Sequence, residues 1–217
     1  MYCYSNDYSQ RTTMVEADIG RAQTVVDWFN SFREVVGRFL VMHATEIGGI
    51  DDQGQPIIVE IDETKYFHRK YHRGQWRKGH WVFGGIERIS KKCFLIEVPD
   101  RSASTLEAAI VEHILPGTKI MSDGWAAYKK VGLLKQGIYE HCVIVHNRNF
   151  VDPDDNDIHT QNIENMWMRA KRKLKRQFGT SQALFPSYLK EFQFRSLVRN
   201  ENIFGEFQIV LSKMYPV

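Results

Sequence analysis

Three acidic residues of this 217-residue chain stand where element boundaries are expected. Ile58-Val59-Glu60-Ile61-Asp62-Glu63-Thr64 reads as a half-buried strand, because Val59 and Ile61 alternate with Glu60 and Asp62, and it ends by presenting Asp62. Ile120-Met121-Ser122 reads as a second strand that stops on Asp123, where Gly124 lets the chain turn into a helix. Glu164 falls in the first turns of a strongly basic helix. Three carboxylates on different elements could hold two divalent metals against a phosphodiester. Hard cations such as Mg²⁺ take oxygen ligands. A metal pair about 4 Å apart stabilises both the attacking and the leaving oxygen.

Each acid alone has a plainer explanation. Asp62 could be a solvated strand terminus, Asp123 a turn former or helix cap, and Glu164 a first-turn glutamate favoured by the helix dipole. The chemical reading rests on all three together. Lys171 adds to it, since it follows Glu164 by two helical turns and projects from nearly the same face. There it could hold a scissile or terminal phosphate as a point charge. Asn162 and His159 could support substrate or water, and His146 is a weaker candidate in a polar loop.

Charge is clustered rather than large. The net charge is only +3, yet Lys65 to His80 holds six Lys/Arg and three His with no acid. Arg169 to Arg176 holds six Lys/Arg in eight positions. Lys65, Arg69, Lys70, Arg73, Arg77 and Lys78 in the first run, and Arg169, Arg172, Lys173, Lys175 and Arg176 in the second, suit a nucleic-acid backbone. A solvated loop or helix face is the alternative. Tyr66, Phe67, Tyr71 and Trp76 interleave the first run and could meet unstacked bases or anchor the loop.

The elements that must position these groups follow in order. Residues 22–42 carry Val25, Val26, Phe29, Phe32, Val36, Phe39 and Leu40 at helical spacing. A short helix and a glycine turn before them would suit part of a helix-turn-helix. Residues 48–56 read as a linker. Strands are expected at 58–64, 81–87, 92–98, 119–122 and 142–145. Helices are expected at 102–115, 125–134, 160–178 and 186–199, and the tail is ambiguous. Three meandering strands followed by alternating helices and strands give a mixed α/β sheet with flanking helices, which fits a ribonuclease-H-like fold. In that fold the first and fourth strands are neighbours, so Asp62 and Asp123 would meet. The expected organisation is a helical N-terminal segment at 1–47, a catalytic domain at 57–199 and a tail at 200–217.

Composition bounds the remaining choices. At 43% hydrophobic residues the chain can bury a core. No window reaches the ~20 apolar residues of a membrane span. The three cysteines are far apart and lack metal or disulfide spacing. The start lacks a signal-peptide pattern, so secretion is not expected.

The motifs in sequence resemble the DDE transposases of the Merlin superfamily and their bacterial insertion-sequence relatives. The resemblance is carried by Val59–Thr64, Arg69–Gly74, Trp81–Arg88, Pro116–Trp125, Asn149–Pro153 and His159–Glu164, and it spans roughly residues 18 to 195. It implies that Asp62, Asp123 and Glu164 are the catalytic triad, with Lys171 as basic companion. It implies a pair of Mg²⁺ ions, replaceable by Mn²⁺, and DNA ends and target DNA as partners of a homo-oligomer. The place of action would be the nucleus in a eukaryote or the cytoplasm in a bacterium. Family members usually carry a longer DNA-binding region with a full helix-turn-helix, of which only the last helix or two stand here. The usual histidine-serine pair reads His146-Asn147, and the glycine usual before His159-Thr160 is replaced by Asn156-Asp157-Ile158. A non-catalytic, host-adopted DNA-binding remnant is the alternative from another class. A ribonuclease-H-like nuclease acting on hybrids or junctions is a third.

Overall fold

The computed structural model describes residues 1–43, 46–67, 79–144, 160–177, 179–199 and 201–216. The expected contributions of Arg69, Lys70, Arg73, Arg77, Lys78, His146 and His159 lie outside these residues. In chain order the elements are α1 (Tyr2–Ser5), α2 (Gln10–Glu16), α3 (Ala22–Met42), β1 (Ile47–Gly48), β2 (Ile58–Tyr66), β3 (His80–Glu87) and β4 (Cys93–Val98). They continue with α4 (Ala103–His113), β5 (Ile114–Leu115), β6 (Lys119–Asp123), β7 (Glu140–Ile144), α5 (Gln161–Arg176), α6 (Phe185–Leu197) and α7 (Ile203–Met214). Two 3-10 turns, Ala126–Tyr128 and Val131–Gln136, join β6 to β7. Among the described residues, no helix is long and apolar enough to cross a membrane.

The sheet unit, residues 45–182, is built on a five-stranded sheet of order β4-β3-β2-β6-β7. β2, β3 and β4 form an antiparallel meander, and β6 and β7 run parallel to β2. Numbering the sheet's strands along the chain, the order is 3-2-1-4-5, the ribonuclease-H-like arrangement with helices packed on the sheet. The parallel strands need crossovers, because a tight turn can only reverse direction. α4 supplies the crossover from β4 to β6. Its start is capped by Ser102, whose side chain accepts from the Thr105 N–H. Leu106, Ala109 and Ile110 are its buried face, in one core with Val59, Ile61, Phe83 and Ile120.

Local pattern misses two details here. β2 does not end at Asp62 but runs on to Tyr66, because β3 is long enough to pair with it from Val59↔Glu87 to Tyr66↔His80. The helix expected through Leu115 stops at His113, and Ile114–Leu115 instead pairs in parallel with Ile47–Gly48. A β-branched residue next to a partner strand gains more from the ladder than from another helical turn.

The helical unit comprises residues 1–44 and 183–217. Its core joins Tyr4, Phe32, Val35, Val36 and Leu40 to Phe194, Val198, Phe207 and Val210. α6 and α7 share this core with α1 and α3, a pairing across more than half the chain that no local period reveals. Arg195 ties the two ends of this unit together, donating to the carbonyls of Ser5 at 2.8 Å and Tyr4 at 2.6 Å. Glu191, 1% exposed, accepts from Arg195 Nε at 3.0 Å.

Candidate metal centre

Asp62 and Asp123 are brought level by strand register. β2 pairs with β6 as Ile58↔Lys119, Val59↔Ile120 and Glu60↔Met121. Continued by two residues on each strand, this sets Asp62 beside Asp123 on neighbouring strands, which run about 4.8 Å apart. The β2–β6 ladder ends just before the two acids, so they face the opening where the strands part. Asp123 Oδ1 accepts from the backbone N–H of Trp125 at 2.9 Å. Asp62 Oδ2 accepts from the indole Nε1 of Trp167 at 3.0 Å.

Charge crowds this opening. Burial pushes the Asp62 carboxyl up to about 7, and the charges of Glu63 and Asp123 add to the rise. The Glu63 backbone N–H and the Trp167 indole offset part of it. Nearby negative charge and burial both disfavour the ionised form. Oxygen-only donors with an unbalanced negative charge fit a hard divalent cation. Asp62 and Asp123 are the residues that could hold one.

α5 is laid along β2 by residues of one strand face. Glu60, Asp62, Thr64 and Tyr66 alternate onto that face. Glu60 accepts from the backbone N–H groups of Asn162 (2.8 Å) and Ile163 (3.0 Å), Asp62 from Trp167, and Thr64 from Lys171 Nζ. Two strand residues advance about 6.6 Å, and four to five helical residues advance about 6–7.5 Å. Helix and strand therefore run in the same direction at matched pace. Lys171 Nζ also lies 5.2 Å from the Tyr66 ring centroid.

Glu60 is the functional residue that sequence pattern missed. It is completely buried, and it takes two of the N–H groups that a helix start leaves without partners. Arg88 Nε at 3.1 Å balances its charge, and Asn162 Nδ2 donates to it at 2.7 Å. Lys91 Nζ donates to the Asn162 side-chain oxygen Oδ1. The structure thus places Asn162 in the joint that fixes the helix start. The available signal was an acid between Val59 and Ile61 on the same strand face as Asp62, with a helix start needing an anion.

Glu164 sits in the first turn of α5 with an exposed side chain. Among the described residues, no three His, Cys, Asp or Glu side chains form a group that could hold a metal, so the structure brings together Asp62 and Asp123 but does not close Glu164 onto them. Glu164 does share with Lys171 nearly one line along the helix, about 20° apart. It stands between the levels at which α5 meets Glu60 and Asp62. The exposed face of α5 carries Arg169, Arg172, Lys175 and Arg176, and Lys173 is half-buried. Lys65 is exposed on β2, its Nζ 5.4 Å from the Trp81 ring centroid.

One glycine is required by this packing. Gly84 lies opposite Asp62 in the β2–β3 register, and a Cβ there would come within 2.7 Å of the Trp167 ring. Gly84→Ala is expected to push Trp167 off Asp62 and cost about 1–3 kcal/mol of overpacking strain. Urea denaturation should show that loss. An unchanged midpoint would mean that Trp167 is not seated as described.

Comparison with known proteins adds the following. The model of the ISXO2-like transposase domain matches residues 50–196. A protein of Haemophilus influenzae described as an uncharacterized transposase-like protein is 29% identical over 104 residues, covering 48% of this chain and 80% of its own. Among solved structures, the HTLV-2 integrase catalytic core domain in complex with magnesium has 13% identity, covering 64% of this chain and 83% of that one, with a TM-score of 0.40. The catalytic core domain of BIV integrase has 12% identity, covering 73% and 97%, with a TM-score of 0.45.

Proposed function

The chain belongs to the ISXO2-like transposase family, and on that premise we propose that its sheet unit cleaves DNA at transposon ends and joins them to target DNA. The observation that carries the reading is the level pair Asp62 and Asp123 at the opening between two parallel strands, beside a helix of exposed arginines and lysines. Within the same proposal stand Glu164 as the third carboxylate, the DDE assignment and membership of the Merlin superfamily. A pair of Mg²⁺ ions, replaceable by Mn²⁺, and a homo-oligomer on DNA complete it. In the helical unit, α2 and α3 follow one another across the turn at 17–21, the order expected of an end-reading helix-turn-helix.

The reaction needs two displacements at phosphorus. In the first, water attacks and the phosphorus–oxygen bond at the 3′ end of the element breaks. The 3′-hydroxyl is released and the flank keeps the phosphate. In the second, that hydroxyl attacks a target phosphodiester and displaces the target's own 3′-oxygen, so the number of ester bonds is conserved. Bound divalent cations supply charge stabilisation to the attacking and leaving oxygens. Asp62 and Asp123 would hold them in place, and Glu164 would complete the donor set. Trp167 fixes the Asp62 carboxyl, and Glu60 fixes the start of the helix that carries Glu164. Lys171, seated between Thr64 and Tyr66, offers a positive charge to the DNA backbone. The arginines and lysines of α5 hold the flanking phosphates, which makes binding steeply salt-dependent.

Hydrolysis of a 3′ flank from duplex DNA in Mn²⁺ tests the roles on α5. Glu164→Gln is expected to lose about a hundredfold or more, the scale of removing one transition-state stabiliser. Lys171→Ala is expected to lose about tenfold, the worth of one charge-assisted hydrogen bond. Wild-type activity should rise with pH through about 7, because Asp62 must be ionised to take a cation. Full activity in Glu164→Gln would remove that residue from the site.

A further inference from the structure

Trp125 lies two residues past Asp123; the residue is 36% exposed and its backbone N–H donates to Asp123 Oδ1. A large ring left in solvent beside a carboxylate pair is unusual for a side chain with so much apolar area. The ring is also braced. The Arg101 guanidinium lies 4.0 Å from the Trp125 ring centroid and 4.9 Å from that of Trp81. Glu63 holds Arg101 at 3.6 Å. Glu63 is itself fixed, with a side chain 6% exposed that accepts from the Tyr128 hydroxyl. Among the described residues, no other ring or cation lies over Trp125. Arg101 thus lies over one face of a part-exposed ring.

We propose that Trp125, backed by Arg101, is a stacking platform for one unpaired DNA base next to the phosphodiester that divalent cations on Asp62 and Asp123 would seat. This rests on the DNA-transfer reading above. Paired bases inside a duplex are stacked on both faces and have none to offer, so the partner is a base released from pairing at the cleavage point. Stacking on an aromatic ring tolerates any sequence, since every base has a π-face. A ring already held in place binds without the ordering cost that a loose side chain would carry. Arg101 and Lys65 beside the stack favour the backbone that delivers the base.

The test uses the full chain in Ca²⁺ with a hairpin duplex whose terminal nucleotide is unpaired and carries 2-aminopurine. A fully paired hairpin is the control. Wild type is expected to quench the 2-aminopurine and to bind the unpaired hairpin about tenfold more tightly than the paired one. Trp125→Ala should lose both the quench and the preference, and Trp125→Phe should keep most of each. The platform is overturned if the quench survives in Trp125→Ala, or if that variant weakens both hairpins equally. The experiment needs no catalysis, so the two readings fail separately. A wild type that joins DNA in Mn²⁺ without quenching removes the platform alone. A wild type that quenches but never joins removes the transfer reading and keeps the platform.

Discussion

At pH 8 without metal, Asp62→Asn is expected to melt several degrees above the wild type, and at pH 4 the two should melt together. The native carboxyl keeps its proton up to about 7. In the unfolded chain it loses the proton near ~4. Between those values the folded state binds more protons, so stability falls as pH rises. What Asp62 contributes below that window is lost above it. The shift sets a ceiling of roughly 4 kcal/mol, and an amide oxygen that still accepts from Trp167 recovers part of it. At ~2–4 °C per kcal/mol the gain is measurable by calorimetry. Saturating Mn²⁺ should close most of the gap, because a ligand at ~100 times its Kd adds about 2.7 kcal/mol to the wild type alone. A variant that melts lower at pH 8, or one that gains equally from Mn²⁺, would show that Asp62 is not a buried acid awaiting a cation.

Glu60→Ala should have the opposite effect, a loss of about 3–5 kcal/mol, because it removes the buried carboxylate that pairs with Arg88 Nε and accepts from two N–H groups at the start of α5. Glu60→Gln should lose less, since one oxygen can still accept. Urea denaturation reads the stability. Hydrogen exchange at residues 162–164 reads the joint itself, which should open in Glu60→Ala. Activity should fall with it, although Glu60 touches no substrate, because Glu164 rides on that first turn. A cost below about 1 kcal/mol would mean that water replaces the carboxylate there.

The sheet was legible because it depends on local signals. Alternation marked β2, a strand ending on Asp123-Gly124 marked β6, and the order of elements then required β2 and β6 to be neighbours. The joint at Glu60 was not legible, since Asn162 and Ile163 lie far along the chain and nothing near Glu60 signals them. Glu63 was hidden for the same reason: its partners Arg101 and Tyr128 come from other elements. The grouping of α6 and α7 with α3 needed knowledge of which apolar faces meet, and periodicity gives only that such faces exist. Glu164 shows the converse. Its place on α5 was readable, while the described residues do not bring its side chain onto Asp62 and Asp123.

The most direct test of the DNA-transfer reading is strand transfer of pre-cleaved DNA ends into a supercoiled plasmid in Mn²⁺ or Mg²⁺. Wild type is run beside Asp62→Asn and Asp123→Asn. Joined product from wild type alone, abolished by chelation, is the predicted result. Joining by either variant, or salt-sensitive DNA binding by wild type with no joining in either metal, would contradict it and leave a DNA-binding protein without transferase activity.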